Sequence, residues 1–347
     1  MSDAILIVSF GGPDGHDDVM PFLENVLRGR NVPRERMLEV AEHYHHFDGR
    51  SPINQQNREL IAALQALLDC EGPHLPIYWG NRNWHPMLPD TFARMKEDGV
   101  TRAICFVTSA YSSYSGCRQY RENLMAANTG EIETLKLRVF YNHPAFIEPM
   151  VESTRAALLA APGATLLFTA HSVPLSMAET SDYVKQLSEA ARLVAEGAGC
   201  ENYRLVYQSR SGPPTQPWLE PDICDAIEEA AAAGAKHVVV MPVGFISDHL
   251  EVLYDLDTEA REKASHLGIG FTRVASVGTD PRFIAMIREL IVERLDPATP
   301  KRACGLYGPN HDVCPVDCCP APARPARRAT PPRRSIRCPA RTYRPRS

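Results

Sequence analysis

No stretch of the sequence approaches the roughly 20 consecutive apolar residues that a membrane-spanning helix needs. The first apolar run, Ala4-Ile5-Leu6-Ile7-Val8, is too short for the hydrophobic part of a secretory leader and has no basic residue before it. A cytoplasmic protein without a membrane span is therefore expected. Phosphate-binding loops are missing as well. Gly11-Gly12-Pro13 fits neither G-x-G-x-x-G nor G-x-x-x-x-G-K-[ST], and Pro13 removes an amide that would hold a phosphate. Nucleotide binding is disfavoured on that ground. No internal repeat is strong enough to define the fold. Basic charge is scarce outside the C-terminus. Residues 320–347 hold nine of the 37 basic side chains and no acid, which leaves 28 basic against 42 acidic elsewhere, a net −14. That tail has too little apolar content to offset the entropy of ordering it, and is expected to be disordered and solvated, with no nucleic-acid partner.

What remains is an ordinary globular composition, 44% apolar and 23% charged, over a length of 347 residues that suits two domains. Apolar runs at Ala4–Ser9, Leu75–Trp79, Ala103–Thr108, Lys136–Tyr141, Ala164–Thr169, Tyr203–Tyr207, His237–Pro242 and Phe271–Val274 read as strands. Helical patterns such as Pro52–Leu68, Met87–Lys96, Tyr183–Ala195, Asp222–Ala233 and Glu251–Ala264 separate them. Continuous rather than alternating apolar strands imply a parallel sheet covered on both faces. The class is α/β, as two similar Rossmann-like domains, each a four-stranded parallel sheet flanked by helices. The expected division is 1–150 and 151–303, then a Cys-rich segment 304–319 and the tail 320–347.

In such sheets ligands meet the loops at the carboxyl ends of the strands. Those loops carry Ser9-Phe10-Gly11-Gly12, Gly80-Asn81-Arg82-Asn83-Trp84, Ser109 to Cys117, His171-Ser172-Val173-Pro174, Gln208 to Gly212, and Gly244 to Glu251. Lined by aromatics and a few polar groups, they suit a large flat ligand. An isolated histidine at a strand end is more often just hydrogen-bonded, but its loop moves His171 toward function. Glu251, Asp255 and Glu259, spaced i, i+4, i+8, share one helical face. Like charges so spaced call for a cation, here a hard or borderline divalent metal held transiently, although a solvated acidic stripe has the same spacing.

Thr169 to Pro174 and Gly244 to Asp255 resemble the two signature segments of the ferrochelatase family, and Phe10-Gly11-Gly12-Pro13, Arg28-Gly29-Arg30 and Pro217-Trp218-Leu219 fit as well. Ser209-Arg210-Ser211-Gly212-Pro213-Pro214 and Tyr114-Ser115-Gly116-Cys117 make the resemblance strongest to the actinobacterial type. It implies a chelatase-like fold, an enzyme of haem biosynthesis, and insertion of Fe²⁺ as substrate into coproporphyrin III, with protoporphyrin IX as the alternative porphyrin. Cobalt insertion into another tetrapyrrole, and a non-catalytic haem or iron–sulfur sensor on the same scaffold, are further alternatives. His171 and Glu251 then match the catalytic pair, expected to face each other across a ring-sized slot. Asp255 and Glu259 match positions that guide metal or carry protons. A guanidinium fork matches a carboxylate, which makes Arg28, Arg30, Arg50, Arg118 and Arg210 candidate propionate partners. Phe10, Tyr111, Tyr114 and Trp218 are further candidate porphyrin contacts. Phe10 stands where some relatives have a tyrosine and cannot ligate iron, which leaves Tyr111 or Tyr114 as oxygen donors. A monomer is expected.

Ten cysteines are many where reducing conditions disfavour disulfides. Cys70, Cys105, Cys200 and Cys224 read as small buried hydrophobes. Some ferrochelatases hold a [2Fe–2S] cluster with one internal cysteine and three near the C-terminus. Cys117 matches the internal one, and Cys304, Cys314, Cys318 and Cys319 compete for three places. Four thiolates would also serve zinc, but the resemblance to cluster-bearing relatives implies [2Fe–2S]. Cys338, in the tail, is not expected to ligate.

Overall fold

A computed structural model describes residues 3–29, 32–212 and 215–322. Arg30, Cys338 and the tail from residue 323 lie outside the described residues. Eight strands form two four-stranded sheets in which every pair is parallel. β1 (Asp3–Ser9), β2 (Ile77–Asn81), β3 (Arg102–Val107) and β4 (Glu133–Lys136) lie in the order β2-β1-β3-β4. β5 (Thr165–His171), β6 (Tyr203–Gln208), β7 (His237–Met241) and β8 (Gly270–Arg273) lie in the order β6-β5-β7-β8. The two windings are the same.

Both faces of each sheet are covered, as parallel pairing requires. Ile5 and Ile7 join Ile104 and Phe106 in a core common to both sheets, while Leu6 and Val8 turn outward under Leu88, Phe92 and Met95. β5 splits the same way, Leu166 and Phe168 inward and Leu167 outward. This period of two is the pleat of a strand buried on each side.

Three expectations need correction. The fourth strand ends at Lys136, paired with Cys105, and the apolar residues 137–141 leave the ladder. They are buried all the same: Phe140 stacks on Phe106 at 5.4 Å and packs against Phe146 and Phe283. Their hydrophobicity serves the common core. Cys70 is exposed, because it lies two residues, about 200° of helix, beyond the buried Leu68. Last, the helical run from Leu250 to His266 is not uniformly α: residues Leu253–Ala260 form a π-helix.

The final helix, Pro281–Leu295, packs against the helices Ile53–Glu71 and Pro144–Ala160 and so ties the two halves of the chain together. Its Glu293 accepts from Arg138 at 2.8 and 3.0 Å, with both side chains almost fully buried. Truncating either partner would strand a buried charge.

Candidate active site and cysteine centre

Each sheet reverses its strand order beside a central pair, β1/β3 in one and β5/β7 in the other. Loops leaving the carboxyl ends of such a pair open a crevice between them. His171 is the last residue of β5, and the loop after β7 leads to Glu251. The two approach closely because position 244 has no side chain: a Cβ there would lie 2.5 Å from that of Ala170. His171 Nε2 and Glu251 Oε2 are 3.7 Å apart, both partly exposed. His171 Nδ1 lies 2.5 Å from the Ser172 carbonyl. A carbonyl only accepts, so Nδ1 carries the hydrogen and Nε2 keeps its lone pair for the crevice. Tyr183 donates its hydroxyl to the His171 carbonyl at 3.0 Å and fixes the strand end.

The expected placement across a slot is corrected by this distance. A flat ring needs about 7 Å between groups on its two faces, twice the van der Waals separation. At 3.7 Å the imidazole and carboxylate form one wall. Two ligands of one divalent ion lie about 3.0–3.4 Å apart, so a small closure lets both groups grip one metal ion.

Behind Glu251 the carboxylates run on along the helix. Asp255 Oδ2 accepts from Gln208 Nε2 at 3.2 Å and from the Ser209 hydroxyl. Gln208 is the β6 partner of His171 in the sheet, so one rung of the ladder positions both. Ser209 holds a left-handed φ of 61°, a conformation that costs a non-glycine residue strain and is found at functional sites. Burial pushes the Asp255 carboxyl up to about 7, with Glu251 and Glu259 adding to the shift and the two hydrogen bonds opposing it. Glu259 is raised in the same direction, first by burial and then by Asp222 and Glu262. His249 is pushed below the usual imidazole range by burial.

An aromatic layer stands beside this wall. Phe22, Tyr44 and Leu250 are buried together, with Phe10 and Trp84 packed against them, and His43 stacks on Tyr254 at 3.9 Å. Arg82, in a carboxyl-end loop but not among the expected propionate partners, lies against Phe10 and Tyr120 at 5.6 and 4.6 Å. Its Nε is buried without a partner, and no carboxylate pairs with it among the described residues. The signal was its place directly after β2. Arg28 and Arg50 are exposed, and Arg210 reaches Glu220 at 3.8 Å. Trp218 packs on Gly212. A cavity of about 720 Å³ opens among Asp14, His16, Asp17, Asp18, Phe47 and Arg50, and neither His171 nor Glu251 lines it. Two candidate contacts fall away. Tyr111 is buried and donates to the Val243 carbonyl at 2.6 Å. Arg118 pairs with Glu122 and donates to the carbonyls of Val316 and Cys318. Tyr114 donates to Glu122 at 3.1 Å, so neither tyrosine is a free iron ligand.

A family model described as Ferrochelatase matches residues 2–295. The chain belongs to the ferrochelatase family. A "Ferrochelatase" of Rhodopirellula baltica is 57% identical over 91% of this chain and 93% of its own length. A "Coproporphyrin III ferrochelatase" of Frankia alni is 52% identical over 94% and 89%, and one of Streptomyces coelicolor 52% over 93% and 95%. The solved structure of CbiX, the terminal enzyme for biosynthesis of siroheme in denitrifying bacteria, covers 84% of this chain and 100% of its own at a TM-score of 0.50 and 17% identity, which speaks to the fold. Among the described residues no helix is long and apolar enough to cross a membrane.

Away from the ferrochelatase signature loops, four thiols gather. Cys117, in a π-helical turn, is hydrogen-bonded to Cys314, and Cys318 Sγ lies 3.6 Å from Cys319 Sγ. Two thiolates on one tetrahedral metal stand about 3.8 Å apart, so the Cys318/Cys319 pair is spaced to share an ion. The bond from Cys314 pulls the Cys117 thiol down, to about 5, against its burial, with Lys136 and Arg121 adding positive charge. Cys304 is not among them. Its Sγ bonds the Asn142 carbonyl at 3.2 Å, because its backbone is already tied to Asn142. Of the four candidates for three places, Cys304 is the one set apart, and Cys117, Cys314, Cys318 and Cys319 remain, a thiol set that would fit a four-thiolate centre.

Proposed function

We propose that this ferrochelatase inserts Fe²⁺ into coproporphyrin III. The observation that carries the reading is the His171–Glu251 wall: an imidazole Nε2 and a carboxylate, 3.7 Å apart, at the switch point of the second sheet. Metallation removes two pyrrole protons and seats an ion in the ring. The Nε2 lone pair accepts such a proton or holds the metal, and the carboxylate beside it takes the complementary role. Asp255 and Glu259 continue the oxygen ligands away from the ring, a path for a hard or borderline cation. The Frankia and Streptomyces relatives carry the coproporphyrin name, and Arg82, without a carboxylate partner beside Phe10, is placed for a propionate. The same reading makes the protein a cytoplasmic monomer.

The assay is anaerobic loss of the free-porphyrin spectrum with Fe²⁺. Coproporphyrin III has two more propionates than protoporphyrin IX. Two charge-assisted contacts at about 1.5 kcal/mol each favour it by roughly a hundredfold in kcat/KM. Faster turnover of protoporphyrin IX would reverse the substrate assignment. Metallation of neither would leave the site to binding alone and overturn the reading.

The cysteine centre, on this reading, holds a [2Fe–2S] cluster, whose chemistry is one-electron redox. The supporting observation is the two thiol pairs Cys117/Cys314 and Cys318/Cys319. Purified protein is expected to be brown and to bleach with dithionite. A colourless protein carrying one zinc would refute the cluster.

A further inference from the structure

A pair of histidines stands apart from the His171–Glu251 wall and from the cysteines. His16 opens the helix His16–Val26, and His45 closes the helix Arg34–His45. Their Nδ1 atoms are 3.0 Å apart, and among the described residues neither ring bonds anything else. His16 lines the cavity of about 720 Å³ together with Asp14, Asp17, Asp18 and Asp48. We propose that His16 and His45 chelate a divalent first-row transition ion, Zn²⁺ or Fe²⁺, through their Nδ1 atoms. Carboxylate or water from the cavity completes the shell.

Nitrogen ligands about 2.1 Å from one ion stand about 3.0 Å apart at a right angle and about 3.4 Å apart at the tetrahedral angle. The two Nδ1 atoms already have that bite. The backbone beneath them is fixed. Val19 and Phe22 of one helix pack with Ala41 and Tyr44 of the other, Phe22 on Tyr44 at 5.7 Å. Asp48 and Gly49, with left-handed φ of 54° and 69°, turn the chain back onto His16. A Cβ on Gly49 would lie 2.5 Å from the His16 backbone nitrogen. The rings lie 20° from parallel, and the exposed His16 is free to turn about its broad χ2 torsion until both lone pairs meet one ion. Each neutral ring then keeps its proton on Nε2, so binding changes the tautomer of one ring and expels no proton. The surroundings favour a cation. Four carboxylates line the cavity against one arginine, Arg50, and His45 sits at the negative end of its helix. Arg58 holds Asp14 at 3.5 Å, but Asp17 and Asp48 have no side-chain partner among the described residues. Imidazole nitrogen beside carboxylate oxygen selects Zn²⁺ or Fe²⁺ over Mg²⁺ and Ca²⁺, which take oxygen ligands.

The test is equilibrium dialysis of the full-length protein, as purified, against low-micromolar Zn²⁺ with Mg²⁺ in excess. Wild type is expected to hold one Zn²⁺ per chain more than His16→Ala or His45→Ala. Each variant weakens that ion at least about a hundredfold, since losing a ligand costs no less than losing an outer-sphere partner. His46→Ala removes the exposed histidine next in sequence, which is outside the pair, and keeps the ion. Matching far-UV circular dichroism in all four proteins shows that they fold, and the outcome is independent of porphyrin metallation. Equal Zn²⁺ in wild type and both variants overturns the inference, and the pair is then a hydrogen bond between neutral rings. An ion lost equally with His46→Ala, or displaced by Mg²⁺, overturns it too, because surface histidines or the carboxylates alone would then hold the cation.

Discussion

Replacing His171 by alanine is expected to lower kcat by about 10³-fold, within the range of lost general acid–base or ligand chemistry. Porphyrin affinity should change far less, because the aromatic layer around Phe10 and Trp84 and the arginines stay in place. The reason lies in the tautomer. Nδ1–H is committed to the Ser172 carbonyl, so Nε2 is the basic nitrogen that His171 turns to the wall. Glu251 remains at 3.7 Å but has lost its partner. If the two act as a unit, as that separation implies, the effects of His171→Ala and Glu251→Gln do not add, and the double variant is hardly slower than the worse single one. Porphyrin titration by fluorescence together with the anaerobic assay checks both statements. A His171→Ala protein keeping more than a tenth of its rate would refute the assignment.

How far the site could be read from sequence follows from what is local. The runs at 164–169 and 237–242 are apolar without alternation, which fixes parallel strands, and the switch-point rule then aims the loops after them at one crevice. Nothing local says which wall a side chain joins. Glu251 sits beside His171 because Gly244 lets the β7 loop ride against Ala170, a contact across some 75 residues of sequence. The π-helix over Leu253–Ala260 also escaped, since an i→i+5 turn has no residue signature of its own. The same limit explains Tyr111 and Arg118. Both occupy a carboxyl-end loop, where a ligand contact is the fair expectation, but one is captured by Val243 and the other by a segment two hundred residues on. Nothing in the spacing of Cys304, Cys314, Cys318 and Cys319 tells that the Cys304 thiol bonds the Asn142 carbonyl, a contact across some 160 residues.

Asp255→Asn should make the protein more stable and less active at once. Burial raises the native carboxyl to about 7, above the value near 3.9 of an unfolded chain. For an acid raised in this way the native state keeps its proton where the unfolded state loses it. Stability therefore falls as pH rises from about 4 to about 7, and the whole cost is present above that window. An amide has no charge to bury. Gln208 and Ser209 both donate to the same Asp255 oxygen, so an asparagine with its amide oxygen there keeps both bonds. The gain in unfolding free energy is expected to grow from about 2 kcal/mol at pH 5.5 to about 4 kcal/mol at pH 8. Urea denaturation at the two pH values measures it, and a loss of stability at pH 8, or an equal gain at both, would contradict the argument. Activity goes the other way because the cost is also the function. A carboxylate forced to ionise among Glu251 and Glu259 is relieved by an arriving cation, and the neutral amide offers that cation far less.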